Sequence, residues 1–428
     1  MSRRIAFLLS ALSLVIYTNA QISEGGLPPS FNYDVSLRSE IAATDIPIPF
    51  NVEDLVLVDE WQVANGAPLK VATSLHVDMS TSNSGSWTTL PGGEKIWQLR
   101  IQAEGAIALM LYYKSFDIPE GGKLFIYNTD KTHILGAYTH RTNPRGDRFA
   151  TEFVAGDDIV LEYVSAPSGD LPRIEIEEIG YGYNHLSISE GNLRDTGSCM
   201  VNINCSEGAA WQKEKAGICK TIQKIGDKSY LCSGSLVNNT AQDFKPYILM
   251  AYHCMEIIEE DSESEISTPE EMKQWVFYFN YERQGCSDSS PALQKTMTGC
   301  RKVASTPMEK GSDGLLILLD QEVPENYNVY YNGWDRRNSP SQSGVNIHHP
   351  EGDYKKISTY TSPSEHATWN GTNSTVGARN AHWNVTFSAT ENGHGVTEGG
   401  SSGSPLFNEN HLIVGTLTPC PFSVAENV

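Results

Sequence analysis

From about residue 51 to 185 the chain alternates short apolar runs with turn residues, which is the pattern of half-buried strands. Trp97-Gln98-Leu99-Arg100-Ile101, Leu109-Met110-Leu111-Tyr112-Tyr113, Lys123-Leu124-Phe125-Ile126-Tyr127 and Asp158-Ile159-Val160-Leu161-Glu162-Tyr163 are examples. Pro119-Glu120-Gly121-Gly122 and Asn143-Pro144-Arg145-Gly146 punctuate them as turns. No helical period of useful length is visible, so this stretch reads as an all-β sandwich. It shows no internal repeat and no catalytic constellation. Residues 21 to about 50 are rich in Ser, Gly, Pro and acids without periodicity, and read as a leader of low order. Residues 186–198 are polar and Gly-containing, the composition of an exposed junction. Beyond them short apolar runs again predict strands, with few helices.

The N-terminus adds a compartment. Arg3-Arg4 precede a largely apolar stretch, Ile5 to Tyr17, and then Thr18-Asn19-Ala20. Thirteen residues are too few to cross a hydrocarbon layer of roughly 30 Å. The pattern is that of a secretory signal peptide over residues 1–20. No other segment is long and apolar enough to span a membrane. With 428 residues the chain has room for two or three domains. A net charge of −21 argues against nucleic acid as a partner, because phosphate binding needs a basic footprint. The run Glu256 to Glu271 carries eight acids and no base, and reads as a solvated surface loop. All eight cysteines lie after residue 198. In an exported chain an even number suggests disulfides, and without a C-x2-C pair a zinc site has no support. Neither metal nor cofactor is expected.

Three segments carry candidate chemistry. Gly399-Gly400-Ser401-Ser402-Gly403-Ser404-Pro405-Leu406-Phe407 places hydroxyls between glycines, where the backbone turns tightly and approaches a substrate. Tyr247-Ile248-Leu249-Met250-Ala251-Tyr252-His253-Cys254 is an apolar strand ending in a histidine. Gly311-Ser312-Asp313-Gly314 puts an acid at the head of the apolar run Leu315–Leu319. The order His, Asp, Ser is that of the chymotrypsin-like serine peptidases, and a double β-barrel is the fold expected with it. Gly399-x-Ser401-x-Gly403 also matches the nucleophile elbow of the α/β-hydrolases. That fold needs an acid and then a histidine after the serine. No Asp follows Ser401, and the nearest histidine is His411, so Ser402 is preferred.

Further blocks point to one family. They are Gly197-Ser198-Cys199, Cys232-Ser233-Gly234-Ser235-Leu236-Val237-Asn238-Asn239-Thr240, Gly333-Trp334-Asp335-Arg336-Arg337, Ile347-His348-His349-Pro350 and Val396-Thr397-Glu398. With the His253 and Ser402 blocks, they make residues 195–418 resemble the lysyl endopeptidases, secreted bacterial serine peptidases. The first half is similar to the β-rich propeptide of those enzymes. The resemblance implies His253 as general base, Asp313 as its orienter and Ser402 as nucleophile, with the backbone N–H groups of Gly400 and Ser402 as the oxyanion hole. It implies Trp369 and Thr418 at the substrate-binding positions, Thr418 standing where the family has a histidine. It implies disulfides Cys232–Cys254, Cys205–Cys286 and Cys199–Cys420, and leaves Cys219–Cys300. The His348-His349 block is structural in that family. Asn238-Asn239-Thr240 and Asn370-Gly371-Thr372 fit glycosylation sequons, which a bacterial source would leave unused.

The chain also departs from the family. Val428 comes 26 residues after Ser402, and no Asp follows Ser402 to read a lysine. The alternative position six residues before the serine holds Val396. A peptidase domain over 195–428 that lacks its last strands and C-terminal helix is therefore expected. The reading that follows is a signal peptide (1–20), a propeptide (21–194) and an incomplete peptidase domain cutting peptide bonds, with Lys as the family's choice of site. Two alternatives stay open: a non-catalytic remnant and a secreted β-rich binding protein. The resemblance starts the mature enzyme near Arg194-Asp195. No lysine occurs between Lys131 and Lys213, so an Arg-specific activating protease is the expected processing partner.

Overall fold

A computed structural model describes residues 22–32, 41–64, 67–90, 93–166, 169–184, 197, 199–258, 264–287, 289–290, 292–371 and 376–418. The expected signal peptide, the junction at 186–196 and Cys420 lie outside them.

The strands expected in the first half form. Lys95–Gln102, Asp158–Val164 and Lys123–Asn128 lie side by side in one sheet, and Leu69–Ser80, Arg173–Gly182 and Ala108–Asp117 in another. Their inward residues meet in a single large apolar cluster that includes Trp97, Leu99, Leu111, Tyr113, Phe116, Tyr138 and Ile179. This is the sandwich that the alternation predicts.

Two expectations for this half need correction. A 13-residue helix, Val52–Ala64, stands where no helical period was legible. Its pattern is scrambled by burial of the wrong residue types. Asp59 and Gln62 face inward while Leu57, Val58 and Trp61 are exposed. Asp59 is satisfied there by Lys70 Nζ at 3.0 Å and the Tyr183 hydroxyl at 2.6 Å. A buried charge held by two partners offsets its desolvation, and the outer apolar side chains erase the amphipathic signal. The described parts of 21–50 are ordered as well. Ala43–Asp45 pairs in parallel with Arg100–Gln102, and Phe31 meets Tyr127 edge-on at 4.9 Å.

In the second half, seven antiparallel strands run in the order Ala292–Thr298, Val276–Arg283, Ile218–Ile225, Lys228–Val237, Tyr247–Ala251, Gly314–Leu319, Cys300–Thr306. They wrap a core of Leu236, Ile248, Met250, Trp275, Phe277, Phe279, Leu315 and Ile317. A second sheet of four strands, in the order Lys356–Tyr360, Gly344–His348, Pro405–Asn408, Ile413–Thr416, has its own cluster around Ile203, Val345, Ile347, Phe407 and Ile413. The two sheets are antiparallel units with separate cores, as the expected double barrel requires. A hairpin, Glu365–Ala367 with His382–Asn384, projects from the second.

The two halves are not strung as separate beads. Residues 69–73 of the sandwich pair with residues 228–231 of the second half, which merges both into one 12-stranded sheet. Leu69, Val71, Ala72, Met110, Tyr112 and Phe153 on one side and Ile222, Leu231, Val276, Tyr278 and Tyr281 on the other form one apolar cluster. Polar groups cross the seam too. The Tyr112 and Ser229 hydroxyls are 2.7 Å apart, and Thr296 donates to Glu152 at 2.6 Å.

Of the four expected disulfides, Cys205–Cys286 and Cys232–Cys254 are present. Cys219–Cys300 is not. Both thiols are free and buried, and each meets a nearby carbonyl instead, Gly234 O at 3.6 Å for Cys219 and Met272 O at 3.5 Å for Cys300. Surrounded by apolar side chains, these sulfurs behave as small core residues. Cys199 is unbridged among the described residues.

Candidate active site

His253 and Asp313 are brought together by neighbouring strands. Tyr247–Ala251 pairs with Gly314–Leu319 so that Ala251 stands opposite Gly314. His253 therefore leaves one strand beside Asp313 at the head of the other. The acid is held in a left-handed conformation, φ 55°. That backbone carries its carbonyl to the Tyr252 N–H at 3.1 Å. It also aims the whole carboxylate at one residue. Oδ1 accepts the His253 N–H at 2.9 Å, and Oδ2 lies 2.7 Å from Nδ1. Neither side chain is more than 2 % exposed. A carboxylate at Nδ1 fixes that nitrogen as the N–H and leaves Nε2 with a lone pair. Nε2 is buried and has no partner among the described residues.

The Ser402 turn is set against this strand. Gly403, at φ 80°, packs so closely that a Cβ there would lie 2.5 Å from Ser233 O and 2.9 Å from Ala251 N. Ser233 holds the turn from below: its N–H donates to Ser402 O at 2.7 Å and its hydroxyl to Gly400 O at 2.9 Å. The Cys232–Cys254 bridge joins the residue before Ser233 to the residue after His253. Gly400, at φ 82°, leaves no room for a side chain, since a Cβ would come within 2.9 Å of His349 O. Among the described residues the N–H groups of Gly400 and Ser402 make no hydrogen bond. They are donors without acceptors on a glycine turn. Ser402 is largely buried, and its hydroxyl is not bonded to His253 Nε2.

Ser401 has a different environment. Its hydroxyl lies 2.7 Å from His348 Nδ1 and accepts the Glu398 N–H at 3.2 Å. His348 Nε2 is 2.9 Å from the Ser358 hydroxyl, which in turn donates to Val396 O at 3.0 Å. Burial pushes the His348 imidazole down to about 3, so it is neutral. His349 is lowered in the same way by burial, and its Nδ1 lies 3.0 Å from Asp353 O. The His348-His349 pair thus serves as internal bracing of the loop that carries Gly399–Ser402.

Trp369 follows the hairpin strand Glu365–Ala367, and Thr418 lies two residues beyond Ile413–Thr416 of the second sheet. The Trp369 carbonyl accepts the Gly377 N–H at 2.9 Å, and Thr418 follows Leu417, whose N–H donates to Ser404 O at 2.9 Å. The Thr418 hydroxyl is buried without a partner among the described residues.

His382 was not singled out by the sequence. Ala378 N donates to Gly311 O at 2.8 Å and Lys310 N to Val376 O at 2.8 Å, so the segment before His382 is laced to the Asp313 loop. Both ring nitrogens of His382 are buried and unpartnered among the described residues. Burial lowers its pKa against an upward pull from the Asp313 charge. Trp383, next in the chain, donates from Nε1 to Val414 O at 3.2 Å and lies against Gly415. No single-position pattern marks either residue; only the hairpin's docking brings them here.

Residues 193–423 match the family described as lysyl endopeptidase, C-terminal domain. The chain belongs to the lysyl endopeptidase family. Its class is accordingly that of the serine endopeptidases. The lysyl endopeptidase of Pseudomonas aeruginosa is 25 % identical over 369 residues, covering 80 % of this chain and 72 % of the relative. Among solved structures, a thermostable serine protease from an extremophilic microorganism matches 48 % of this chain and 83 % of its own at 13 % identity, with a TM-score of 0.30. The protease Anisep from Arthrobacter nicotinovorans matches 48 % and 82 % at 16 % identity, also at 0.30.

Proposed function

We propose that this lysyl endopeptidase family member is an exported serine endopeptidase that works through an acyl-enzyme formed on Ser402. The observation that carries the reading is the buried His253–Asp313 pair, its Nε2 lone pair unspent, on the strand against which the Ser402 turn is packed. In the proposed first step the Ser402 oxygen attacks the scissile carbonyl carbon and its proton passes to His253 Nε2. Asp313 stabilises the imidazolium that forms. The carbonyl oxygen, now an oxyanion, is received by the free N–H groups of Gly400 and Ser402, a device worth roughly 3–4 kcal/mol per donor. His253 then hands its proton to the leaving amine. Water repeats the sequence on the ester and frees the enzyme.

Cleavage after Lys is the family's activity and is proposed here on that ground. Trp369 and Thr418 are the side chains assigned to the substrate side. Residues 1–20 are proposed as the signal, 21–194 as a propeptide and 195–428 as the peptidase, with an Arg-cleaving protease making the cut after Arg194. The test is covalent labelling. A fluorophosphonate should modify Ser402 in processed protein, and Ser402→Ala should lose labelling and hydrolysis of lysine esters by on the order of 10⁴-fold or more. Labelling that persists in Ser402→Ala and moves to Ser401 would overturn the assignment.

A further inference from the structure

We infer that the protein is a substrate for other copies of itself, cut at the Lys310–Gly311 bond, and that this cut ends its activity. The bond lies on the connection between two paired strands, Cys300–Thr306 and Gly314–Leu319, just before Asp313. Every residue of the first strand except Cys300 is exposed, Val303 among them. Pro307, Glu309, Lys310 and Ser312 continue that exposure, and burial returns only at Asp313. Exposed connections of this kind are where folded chains are nicked.

Lys310 has what cleavage after a lysine requires. Its side chain is 85 % exposed, and its partner is the exposed Glu309 at 2.7 Å. An exposed ion pair is weak and gives way to a pocket that takes the ammonium. The Lys310 carbonyl accepts no hydrogen bond among the described residues, so the scissile carbon is open to attack. The residue beyond it is a glycine, held so by the turn, since a Cβ there would lie 2.0 Å from Pro307 O. Other lysines of the peptidase half are worse substrates. Lys302 is fixed in its strand opposite Ile317, and the Lys213 carbonyl accepts the Ala216 N–H at 3.1 Å. Lys273 is bridged to Asp147 and Glu270 at 3.3 and 3.1 Å. Lys245 precedes Pro246, whose ring crowds the bond between them.

The cut falls where the site is most easily undone. Lys310 and Asp313 both have left-handed backbone, φ 55°. Residues with a Cβ keep that strained conformation only where the surrounding structure imposes it. Here the closed turn does so, through the Asp313 N–H on Pro307 O at 3.2 Å and the Gly314 N–H on the Thr306 hydroxyl at 3.0 Å. Water added across Lys310–Gly311 leaves a carboxylate on Lys310 and an amine on Gly311, with no other reactant. The turn is then open, and Asp313 relaxes out of the conformation that aims its carboxylate at His253. Cys205–Cys286 and Cys232–Cys254 both lie before the cut and do not span it. The turn cannot reach its own Ser402 while Asp313 is anchored to His253, so one molecule cuts another.

Self-cutting rests on the proposed cleavage after Lys, and two experiments keep the two ideas apart. In the first, the full chain carrying Ser402→Ala, which cannot cut itself, meets a trace of an unrelated lysine-cleaving protease. New termini within residues 199–418 are followed by mass spectrometry. Gly311 should appear first; a different first terminus would overturn the inference and leave the proposed activity standing. In the second, processed protein is incubated alone. A Gly311 terminus should form at a rate that rises with the square of the protein concentration, while lysine-ester hydrolysis falls in step. Lys310→Gln should start with the same ester hydrolysis and lose it on the order of tenfold more slowly. Ester hydrolysis without a Gly311 terminus, a strictly first-order rate, or equal decay in Lys310→Gln would each overturn the inference alone. Protein that shows neither ester hydrolysis nor the terminus would overturn the proposed activity with it.

Discussion

The two sides of the candidate site are built on opposite principles. The His253–Asp313 side is finished: two hydrogen bonds, almost no exposure and a disulfide at the next residue. The Ser402 side is held only from behind. Ser233 and the His348–Ser401 link brace the loop, while the Gly400 and Ser402 N–H donors and the Ser402 hydroxyl have no partner among the described residues. Under the proposed mechanism His253 and Asp313 can be satisfied in advance because the carboxylate stays put through the reaction. Under the same proposal the Gly400 and Ser402 donors cannot be, because their acceptor exists only as the substrate's carbonyl turns into an oxyanion.

The sharpest way to break this contrast is on the finished side. Asp313→Asn keeps the shape but cannot hold the same imidazole tautomer, and should lower kcat by about 10⁴-fold. Lysine-ester hydrolysis measures it; a loss under tenfold would show that the buried pair is structural. On the open side, Gly400→Ala should cost on the order of 10² to 10³ in kcat. The new methyl group would press on the His349 carbonyl and tilt the donor. If KM rises instead while kcat holds, the N–H points at the ground-state substrate and the oxyanion assignment fails.

Removing the bridge asks whether the finished side needs its staple. Cys232→Ala with Cys254→Ala opens a crosslink between residues 22 apart and should cost about 3 kcal/mol in denaturant unfolding. With the hydrogen bonds intact, kcat should move little; a collapse of kcat at temperatures where the variant is folded would mean that the bridge, rather than Asp313, positions the imidazole. The smallest expected effect tests cross-talk between the sides. His382→Ala should lower kcat on the order of tenfold with KM unchanged, because it loosens the segment laced to the Asp313 loop. An unchanged kcat would confine His382 to packing.

Much of this site was legible from sequence. The His253 strand, the acid before an apolar strand and the glycine-flanked serines are local patterns, and their order along the chain is visible without coordinates. So were the sandwich strands, because turn residues bound their apolar runs: Lys95–Gln102 alternates with one buried face, while Ala108–Asp117, Lys123–Asn128 and Asp158–Val164 are buried on both faces for most of their length. What stayed hidden depends on partners far away in the chain. Val52–Ala64 reads as no helix because Asp59 is buried on Lys70 and Tyr183, neither of which the helix itself reveals. The joining of residues 69–73 to 228–231 has no composition of its own, since any half-buried strand can accept a neighbour. The free thiols of Cys219 and Cys300 each rest on a carbonyl that only the folded chain brings near, which a count of cysteines does not reveal. His382 gains its place only when the hairpin docks.

Those two thiols give the molecule a clock. A thiol reacts as its thiolate, and burial pushes Cys219 up to about 12 and Cys300 well above the ordinary thiol range. Both sit in the core that carries the His253 strand, with side chains that no reagent can reach while the sheet is closed. Each alkylation event at either sulfur therefore records one opening of that core. With reagent concentrated enough to outpace reclosing, the alkylation rate, read by mass spectrometry, is the rate at which that core opens; with dilute reagent it reports the fraction of time the core is open. The protein carries this timer as two native residues and needs no probe attached to it.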